Sequence, residues 1–179
     1  KKDKDIVLIS VDMGASSLDI WREELPEQFI FTGISEQHSI NLAAGLANEG
    51  KKVYVYFMAA WLARCFEQIR YSCAMAKNPI TLLANGVALG YAPAGPAHET
   101  NDDIAYMRSI LDLEIHSPTN LEMVKTLVNL TYEEPKLRCI RLERHYATDF
   151  DGCYNNPETN FIEKGIHPVI GDGKKVALL

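Results

Sequence analysis

Short runs of β-branched and other apolar residues alternate along this chain with helix-like stretches, and this alternation restricts the possible folds more than any other feature. The runs are too short for helices, whereas the stretches between them repeat apolar residues every three or four positions. Strands alternating with helices build a parallel sheet covered by helices on both faces. We therefore predict an α/β fold with a sheet of about six strands. The predicted strands are residues 6–11, 29–31, 53–58, 80–84, 113–116 and 137–142.

Two of the predicted helices have clear ends. Ser35 is a good N-cap for a helix over 36–49, and Gly50 follows at the position where a left-handed residue commonly ends a helix. A second helix is predicted over 60–77, because apolar residues recur there at spacings of three and four up to Asn78-Pro79.

The composition is that of a globular protein and argues against several classes of function. Of the 179 residues, 47% are hydrophobic and 23% are charged, and the net charge is −6. An acidic chain is a poor nucleic-acid binder, and no apolar run approaches the roughly 18 residues of a membrane span. No signal peptide is visible, and the four cysteines form no Cys-x-x-Cys pair. We therefore expect a cytoplasmic protein with reduced thiols and with neither nucleic acid nor membrane as its partner.

Several residues able to carry chemistry directly follow predicted strands. Asp12 follows the first strand, Glu36 the second, Trp61 the third and Arg144 the sixth, and a Gly/Pro-rich loop over 85–99 follows the fourth. In open α/β sheets, ligands bind beyond the carboxyl ends of the strands. We therefore predict that these residues share one edge of the sheet and form a binding site there.

Two of these residues are candidate acid–base groups, each with an ordinary alternative. Glu36 begins a helix, where a surface carboxylate commonly complements the helix dipole. That helix is almost wholly apolar, however, which favours a carboxylate facing a partly dry cleft. His98 ends the Gly/Pro-rich loop, where a lone histidine is commonly solvated, although the placement also suits substrate contact or proton transfer.

The aromatic and basic residues at the same edge also have two interpretations. Trp61 is typical of a core residue, but an aromatic side chain at the end of a strand can also stack on a flat ring. Arg141 and Arg144 are either solvated charges or anion-binding groups near the edge.

The character of the sequence changes at Tyr146. Asn, Pro, Gly, Asp and Thr dominate residues 146–175 with little periodicity, which is typical of a linker. Residues 176–179 resemble the start of another strand. We therefore predict one domain over residues 1–145, and a linker with the truncated start of a C-terminal domain over 146–179.

Several short motifs, in this order and spacing, resemble the pyrimidine-binding domain of the transketolase family. Each is weakly specific alone, but together they are specific and span about Asp12 to Arg144. The family includes transketolase, 1-deoxyxylulose-5-phosphate synthase and the β subunits of 2-oxo-acid dehydrogenases. The motifs are FTGISEQH at 31–38, NLAAGLA at 41–47, RCFEQIR at 64–70, GPAHE at 95–99, DIAYMR at 103–108 and IRLER at 140–144.

The resemblance implies thiamine diphosphate as cofactor and a role for each candidate residue. Glu36 falls on the family's catalytic glutamate, which hydrogen-bonds a nitrogen of the aminopyrimidine ring. Trp61 falls where the family usually has a phenylalanine that stacks on this ring, and Arg64 belongs to the same cofactor-binding segment. His98 matches a catalytic histidine that contacts the substrate near the reacting carbon. Arg144 matches an arginine that binds the substrate phosphate or a terminal hydroxyl.

The resemblance also implies that half of the active site lies outside this domain. In the family, a separate domain binds the diphosphate and Mg²⁺, and no residue of this chain is assigned to the metal. We therefore expect the chain alone to be inactive. Its expected partners are a diphosphate-binding domain or subunit of the same enzyme, a second copy of this domain in a homodimer, and a sugar or sugar-phosphate substrate.

Transfer of a two-carbon ketol unit between sugars is the reaction that the resemblance favours. Two departures from the family pattern bear on the choice of reaction. Ala59 and Ala60 replace Ser/Thr residues before the stacking aromatic, and no basic residue lies near Val87, where the synthase branch has a phosphate-binding arginine. The first is expected of a non-catalytic module with a decayed cofactor site, and the second argues against a phosphorylated aldehyde substrate of the synthase type. The alternatives are a component of the 1-deoxyxylulose-5-phosphate synthase type or the 2-oxo-acid dehydrogenase β type, and a non-catalytic assembly module.

Overall fold

Six parallel strands form a single sheet in the computed structural model, which describes residues 3–119 and 121–144. They lie in the order β2-β1-β3-β4-β6-β5, and every pair of neighbours is parallel. The predicted parallel α/β sheet is therefore confirmed. The strands are β1 (Ile6–Val11), β2 (Phe29–Gly33), β3 (Lys52–Met58), β4 (Ile80–Asn85), β5 (Glu114–His116) and β6 (Arg138–Leu142).

Helices connect the strands, and one of them is not predicted from the sequence. The unpredicted helix is α1, which has six residues, none of them buried, and so gives no apolar periodicity. The helices are α1 (Asp19–Glu24), α2 (Glu36–Asn48), α3 (Phe66–Gln68), α4 (Asp103–Met107) and α5 (Leu121–Glu133).

Side chains of the central strands alternate between the two faces of the sheet, and both faces are covered. On one face, Ile9 and Val55 are fully buried in a core shared with α2. On the other face, Tyr56 packs in a smaller cluster with Leu18. The hydroxyl group of Tyr54 lies 3.0 Å from that of Thr131 in α5 and so ties this helix to β3. The predicted coverage by helices on both faces is therefore confirmed.

The segment that follows β3 is irregular where the sequence predicts one continuous helix. Two 3₁₀ turns come first, α3 contributes a single turn, and a π-helix completes the segment. Trp61, Cys65, Ile69 and Cys73 repeat at a spacing of four, whereas an α-helix advances about 3.6 residues per turn, so this stripe would drift away from the core. Wider π turns keep Ile69 and Cys73 fully buried. The pieces are Ala59–Trp61, Ala63–Cys65, Phe66–Gln68 and Ile69–Met75.

The ends of α2 follow the prediction only in part. Ser35 is the N-cap residue, but its hydroxyl group donates to the carbonyl oxygen of Thr32 at 2.6 Å instead of capping the helix. At the other end, Gly50 has a φ of 85°, the left-handed conformation that glycine adopts without a Cβ clash.

Three cysteine thiols lie in the core and should be chemically inert. Burial raises the pKa of Cys65, Cys73 and Cys139 to about 12. Since the thiolate is the reactive form, we expect iodoacetamide to leave these residues unmodified in the native protein at mildly alkaline pH. Peptide mass spectrometry should find all three modified after unfolding in guanidinium chloride, which serves as the control. Rapid labelling of any of the three in the native protein would contradict this packing.

The tail predicted at 146–179 lies outside the described residues, so the predicted boundary after residue 145 stays a prediction. In the described part of the chain, no helix combines the length and the apolar character needed to cross a bilayer.

Candidate functional site

The six parallel strands end at the same edge of the sheet, and the predicted site residues follow these ends. Glu36 begins α2 just after β2, and Trp61 and Arg64 lie in the 3₁₀ turns after β3. His98 lies in the loop after β4, and Arg144 lies just beyond β6. The fold thus brings all five predicted site residues to the carboxyl edge of the sheet.

Glu36 is a carboxylate that the fold buries almost completely. It is 3% exposed at the first position of α2. Its Oε2 atom accepts a hydrogen bond of 3.0 Å from Nη1 of Arg64. Its Oε1 atom is buried and has no hydrogen-bond partner within the described residues. A buried polar atom without a partner costs free energy, so such an atom at the edge of a sheet indicates a place where a ligand binds.

Arg64 orients this carboxylate from the neighbouring turn. Its guanidinium group pairs with Glu36, while about half of the Arg64 side chain stays exposed to solvent. Arg64 therefore fixes one oxygen of Glu36, and the other oxygen has no hydrogen-bond partner among the described residues. The sequence shows both residues but gives no sign that they pair, since 28 positions separate them.

Trp61 and His98 form an aromatic pair at the same edge. Their ring centroids lie 6.4 Å apart and the ring planes are tilted by 59°. Both side chains are partly buried. The Nδ1 atom of His98 is buried and has no hydrogen-bond partner among the described residues. The histidine is therefore packed against Trp61 and is not the freely solvated loop residue that the ordinary interpretation expects.

The long loop after β4 is held closed at its base. Ala88 and Thr100 form an antiparallel bridge with hydrogen bonds of 3.0 and 2.9 Å. The backbone N–H groups of Gly86 and Val87 both donate to the carbonyl oxygen of Leu142, at 2.7 and 3.3 Å. The loop is therefore fixed to the end of β6, the strand that leads to Arg144.

Arg144 lies over the ring of Tyr91, a residue of this loop that the sequence analysis did not select. The guanidinium carbon of Arg144 is 4.8 Å from the centroid of the Tyr91 ring. Within the described residues, no carboxylate pairs with Arg144, whose side chain is exposed. The only available signal for Tyr91 is one large aromatic residue in a run of Gly, Pro and Ala.

Arg141 has a structural partner, so it is neither a solvated charge nor an arginine free to bind an anionic ligand. Its Nε atom donates to Oδ2 of Asp103 at 2.6 Å, and its Nη2 atom to Oδ1 at 3.1 Å. Its Nη1 atom donates to the hydroxyl group of Ser117 at 2.8 Å. Because Asp103 is almost fully buried, Arg141 joins β6 to the start of α4 and to the end of β5. Arg144 therefore remains the candidate anion-binding residue of the two.

Gly86 leaves room for Tyr91, and replacing it should destabilise the protein. A Cβ atom at Gly86 would lie 2.0 Å from Cε2 of Tyr91, and Gly86 has a φ of 75°. We expect Gly86→Ala to lower the free energy of unfolding of the full-length protein by about 2 kcal/mol, through backbone strain and displacement of the ring. Urea unfolding measures this change.

Gly45 provides the matched control for Gly86. It lies inside α2, and a Cβ atom there would meet nothing within 4 Å. Gly45→Ala should therefore raise the free energy of unfolding by about 0.5–1 kcal/mol, since alanine favours a helix interior. Equal stability of the two alanine variants would contradict the placement of Tyr91 on Gly86.

The described residues include no group arranged to bind a metal ion, and two of their clefts lie away from Glu36, Trp61 and His98. Among them, no three or more His, Cys, Asp or Glu side chains are arranged to hold a metal ion. One cleft of about 530 Å³ lies at the opposite, amino-terminal edge of the sheet, and another of about 380 Å³ lies beside Asp12. Neither is lined by Glu36, Trp61 or His98.

Residues 1–148 match the sequence profile of the pyrimidine-binding domain of transketolase. The chain belongs to this family. The resemblance carried by the motifs between Asp12 and Arg144 is therefore confirmed, and the profile match includes all of residues 1–145, for which the sequence predicts one domain.

Individual relatives of this transketolase-family chain agree with the assignment. One of the subunits that make up the apulose-4-phosphate transketolase of Phocaeicola vulgatus is 32% identical over 90% of this chain and 52% of its own length. The 1-deoxy-D-xylulose-5-phosphate synthase of Thiobacillus denitrificans is 31% identical over 88% of this chain and 24% of its own length. The chain thus spans about half the length of the first relative and a quarter of the second.

A solved structure shares the fold of this transketolase-family chain. It is a split-gene transketolase described as an inactive β4 tetramer, with a TM-score of 0.70 and 28% identity. The match covers 79% of this chain and 46% of the other. The single parallel sheet with its helices is therefore the fold of the transketolase pyrimidine-binding domain.

Proposed function

We propose that this chain is the pyrimidine-binding part of a thiamine diphosphate-dependent transketolase-like enzyme, which transfers a two-carbon ketol unit between sugars. The observation that carries the proposal is the buried Oε1 atom of Glu36, which has no partner in the described residues and lies at the edge where parallel sheets bind ligands. A ring nitrogen of the aminopyrimidine is the kind of group that such an atom would bind.

The chain's own residues would orient the cofactor and assist proton movement. Glu36 would form a hydrogen bond through Oε1 to the pyrimidine ring, while Arg64 holds Oε2 at 3.0 Å and fixes the direction of that bond. Trp61 would stack on the same ring. Thiamine diphosphate, when bound, supplies the electron sink that the protein itself lacks.

His98 and Arg144 would bind the sugar. His98 has a buried Nδ1 atom without a partner in the described residues and packs against Trp61, so it lies beside the proposed cofactor position. It would contact the substrate near the reacting carbon, where histidine can transfer protons. Arg144 would bind a phosphate or terminal hydroxyl at the far end of the sugar. A relative whose name includes a sugar phosphate supports the phosphorylated class.

The proposed enzyme needs a second protein surface. Arg64 is half exposed and Arg144 is exposed, so in the described residues the site is an open edge of the sheet. We propose that a diphosphate-binding domain or subunit of the same enzyme, with its Mg²⁺, covers this edge, and that two copies of this domain pair. The Phocaeicola vulgatus relative, named as one subunit of a transketolase, and the split-gene transketolase described as an inactive β4 tetramer support an enzyme built from separate parts.

A synthase-like reaction is the second candidate. It is supported by the 31% identity to a 1-deoxy-D-xylulose-5-phosphate synthase. The absence of a basic residue at Val87 in the sequence argues against it, because the synthase pattern has a phosphate-binding arginine in that region.

Donor specificity tests the proposal. The protein would be purified with its natural partner and supplied with thiamine diphosphate and Mg²⁺. Transfer would then be followed from fructose 6-phosphate or from pyruvate to an aldose phosphate acceptor. We expect the ketose to donate and pyruvate to be left unconsumed. Consumption of pyruvate alone would favour the synthase or 2-oxo-acid dehydrogenase type, and consumption of neither would favour a non-catalytic assembly module.

A further inference from the structure

Tyr91 is held rigidly by residues at the end of β4. Its ring lies against Gly86, where even a methyl group would collide with it at 2.0 Å. Its hydroxyl oxygen accepts a hydrogen bond of 2.9 Å from Nδ2 of Asn85, the last residue of β4. Asn85 also contacts the buried Tyr56. The Tyr91 ring is thus held on one face by the backbone of Gly86 and at its hydroxyl group by the side chain of Asn85 in β4.

This fixed ring in turn supports Arg144. The guanidinium group lies 4.8 Å from the ring centroid, within the range of a cation–π contact. Arginine is flexible, and holding a planar guanidinium against an aromatic face reduces the entropy that it loses when it binds an anion. Within residues 3–119 and 121–144, no carboxylate pairs with Arg144, and its side chain is exposed.

We propose that Tyr91 is a positioning and specificity-determining residue, which holds Arg144 ready for the phosphate group of a phosphorylated sugar. The inference rests on the proposed function, since it names the substrate class of the same site. Tyr91 acts through Arg144 and does not itself touch the phosphate.

The loop that carries Tyr91 also carries His98, which packs against Trp61 at the proposed cofactor position. The bridge between Ala88 and Thr100 closes the long loop after β4, which carries Tyr91 near one end and His98 near the other. Tyr91 contacts Arg144, whereas His98 contacts Trp61. This one loop therefore sets the position of Tyr91, which supports Arg144, and of His98, which lies beside the proposed cofactor position.

Binding of a matched pair of unreactive sugars tests this role without requiring turnover. Glucitol 6-phosphate and glucitol differ only in the phosphate group, and neither has the carbonyl group that ketol transfer needs. Calorimetry on the assembled protein would compare the wild type with Tyr91→Leu, Tyr91→Phe, Arg144→Met and the double variant Tyr91→Leu/Arg144→Met.

We expect Tyr91→Leu to weaken binding of glucitol 6-phosphate about tenfold, the scale of a lost cation–π contact together with lost ordering, and to leave glucitol binding unchanged. Tyr91→Phe keeps the ring and should bind within about twofold of the wild type. Once Arg144→Met has removed the guanidinium group, Tyr91→Leu should cause no further loss, because Tyr91 acts only through Arg144.

Pentafluorophenylalanine in place of Tyr91 keeps the inference testable should Tyr91→Leu fail to fold. Fluorination reverses the charge distribution of the ring while keeping its shape, so it should weaken glucitol 6-phosphate binding relative to Tyr91→Phe. Equal binding of the phosphorylated and unphosphorylated sugars by the wild type would overturn the inference, as would additive losses from Tyr91→Leu and Arg144→Met.

The proposed ketol transfer and the proposed role of Tyr91 can fail independently, and the experiments distinguish the two failures. An assembly that shows this binding pattern but transfers no ketol unit would contradict the proposed reaction and support the phosphate contact. An assembly that transfers the ketol unit, with phosphate binding unaffected by Tyr91→Leu, would overturn the role of Tyr91 alone.

Discussion

Glu36→Gln is expected to reduce ketol transfer by the assembled enzyme about 10²–10³-fold, which is within the usual range for the loss of an acid–base group. Glutamine has nearly the shape of glutamate and can still accept the hydrogen bond from Arg64. It cannot carry a proton between the pyrimidine ring and its surroundings, however. Glu36→Ala should be at least as damaging, because it also removes the proposed hydrogen bond to the ring.

Protein stability separates a catalytic role of Glu36 from a structural one. The carboxylate is 3% exposed and only one of its oxygens has a partner in the described residues, so it costs stability where it stands. We therefore expect Glu36→Gln to be at least as resistant to urea as the wild type. Activity should thus fall without any loss of stability.

Glu49 is the matched control for Glu36. It caps the other end of α2 and is exposed, so Glu49→Gln removes the same charge from the same helix away from the site. Steady-state kinetics should show wild-type turnover for Glu49→Gln. Near-normal turnover in both Glu36→Gln and Glu36→Ala would contradict the assignment of Glu36.

Asp103→Ala should lower the free energy of unfolding by about 3 kcal/mol, because it leaves the charge of Arg141 largely buried without its partner. The side chains of Arg141 and Asp103 are 14% and 3% exposed, and they are joined by two hydrogen bonds. Since this pair fixes the start of α4 to the end of β6, its loss should loosen the edge of the sheet next to the site.

Urea unfolding of the full-length protein measures this loss. Asp102→Ala is the control, since Asp102 is the exposed neighbour and makes no side-chain cap hydrogen bond. It should change stability by less than about 0.5 kcal/mol. The double variant Asp103→Ala/Arg141→Met should recover part of the lost stability, because no unpaired charge remains. A loss for Asp103→Ala no larger than that for Asp102→Ala would show that the pair does not stabilise the fold.

The sequence predicts the sheet well because each strand carries its own signal. Runs such as Ile6–Val11 are apolar at every position except Ser10, as expected for strands buried on both faces of a parallel sheet. The same local reasoning fails after β3. There the apolar stripe through Cys65, Ile69 and Cys73 predicts a regular helix, but packing against the sheet imposes 3₁₀ and π turns instead.

The positions of the site residues at the edge of the sheet are predictable, whereas their contacts are not. Glu36 and His98 follow strands, so parallel topology alone brings them to one edge. The pairing of Glu36 with Arg64, and of Trp61 with His98, depends on tertiary packing between segments that are distant in the sequence. The sequence does not identify Tyr91 as a candidate site residue for the same reason, since its importance comes from the surrounding contacts and not from a motif.

Thiamine diphosphate content would show whether this chain is part of a cofactor-dependent enzyme. The natural full-length protein would be purified by affinity from its own cells together with its partner, and the cofactor would be quantified by thiochrome fluorescence. We predict a stoichiometric amount of thiamine diphosphate, accompanied by the diphosphate-binding domain or subunit that covers Glu36. An intact assembly without the cofactor would contradict the proposed enzyme and would indicate an assembly module in which Glu36 has no catalytic role.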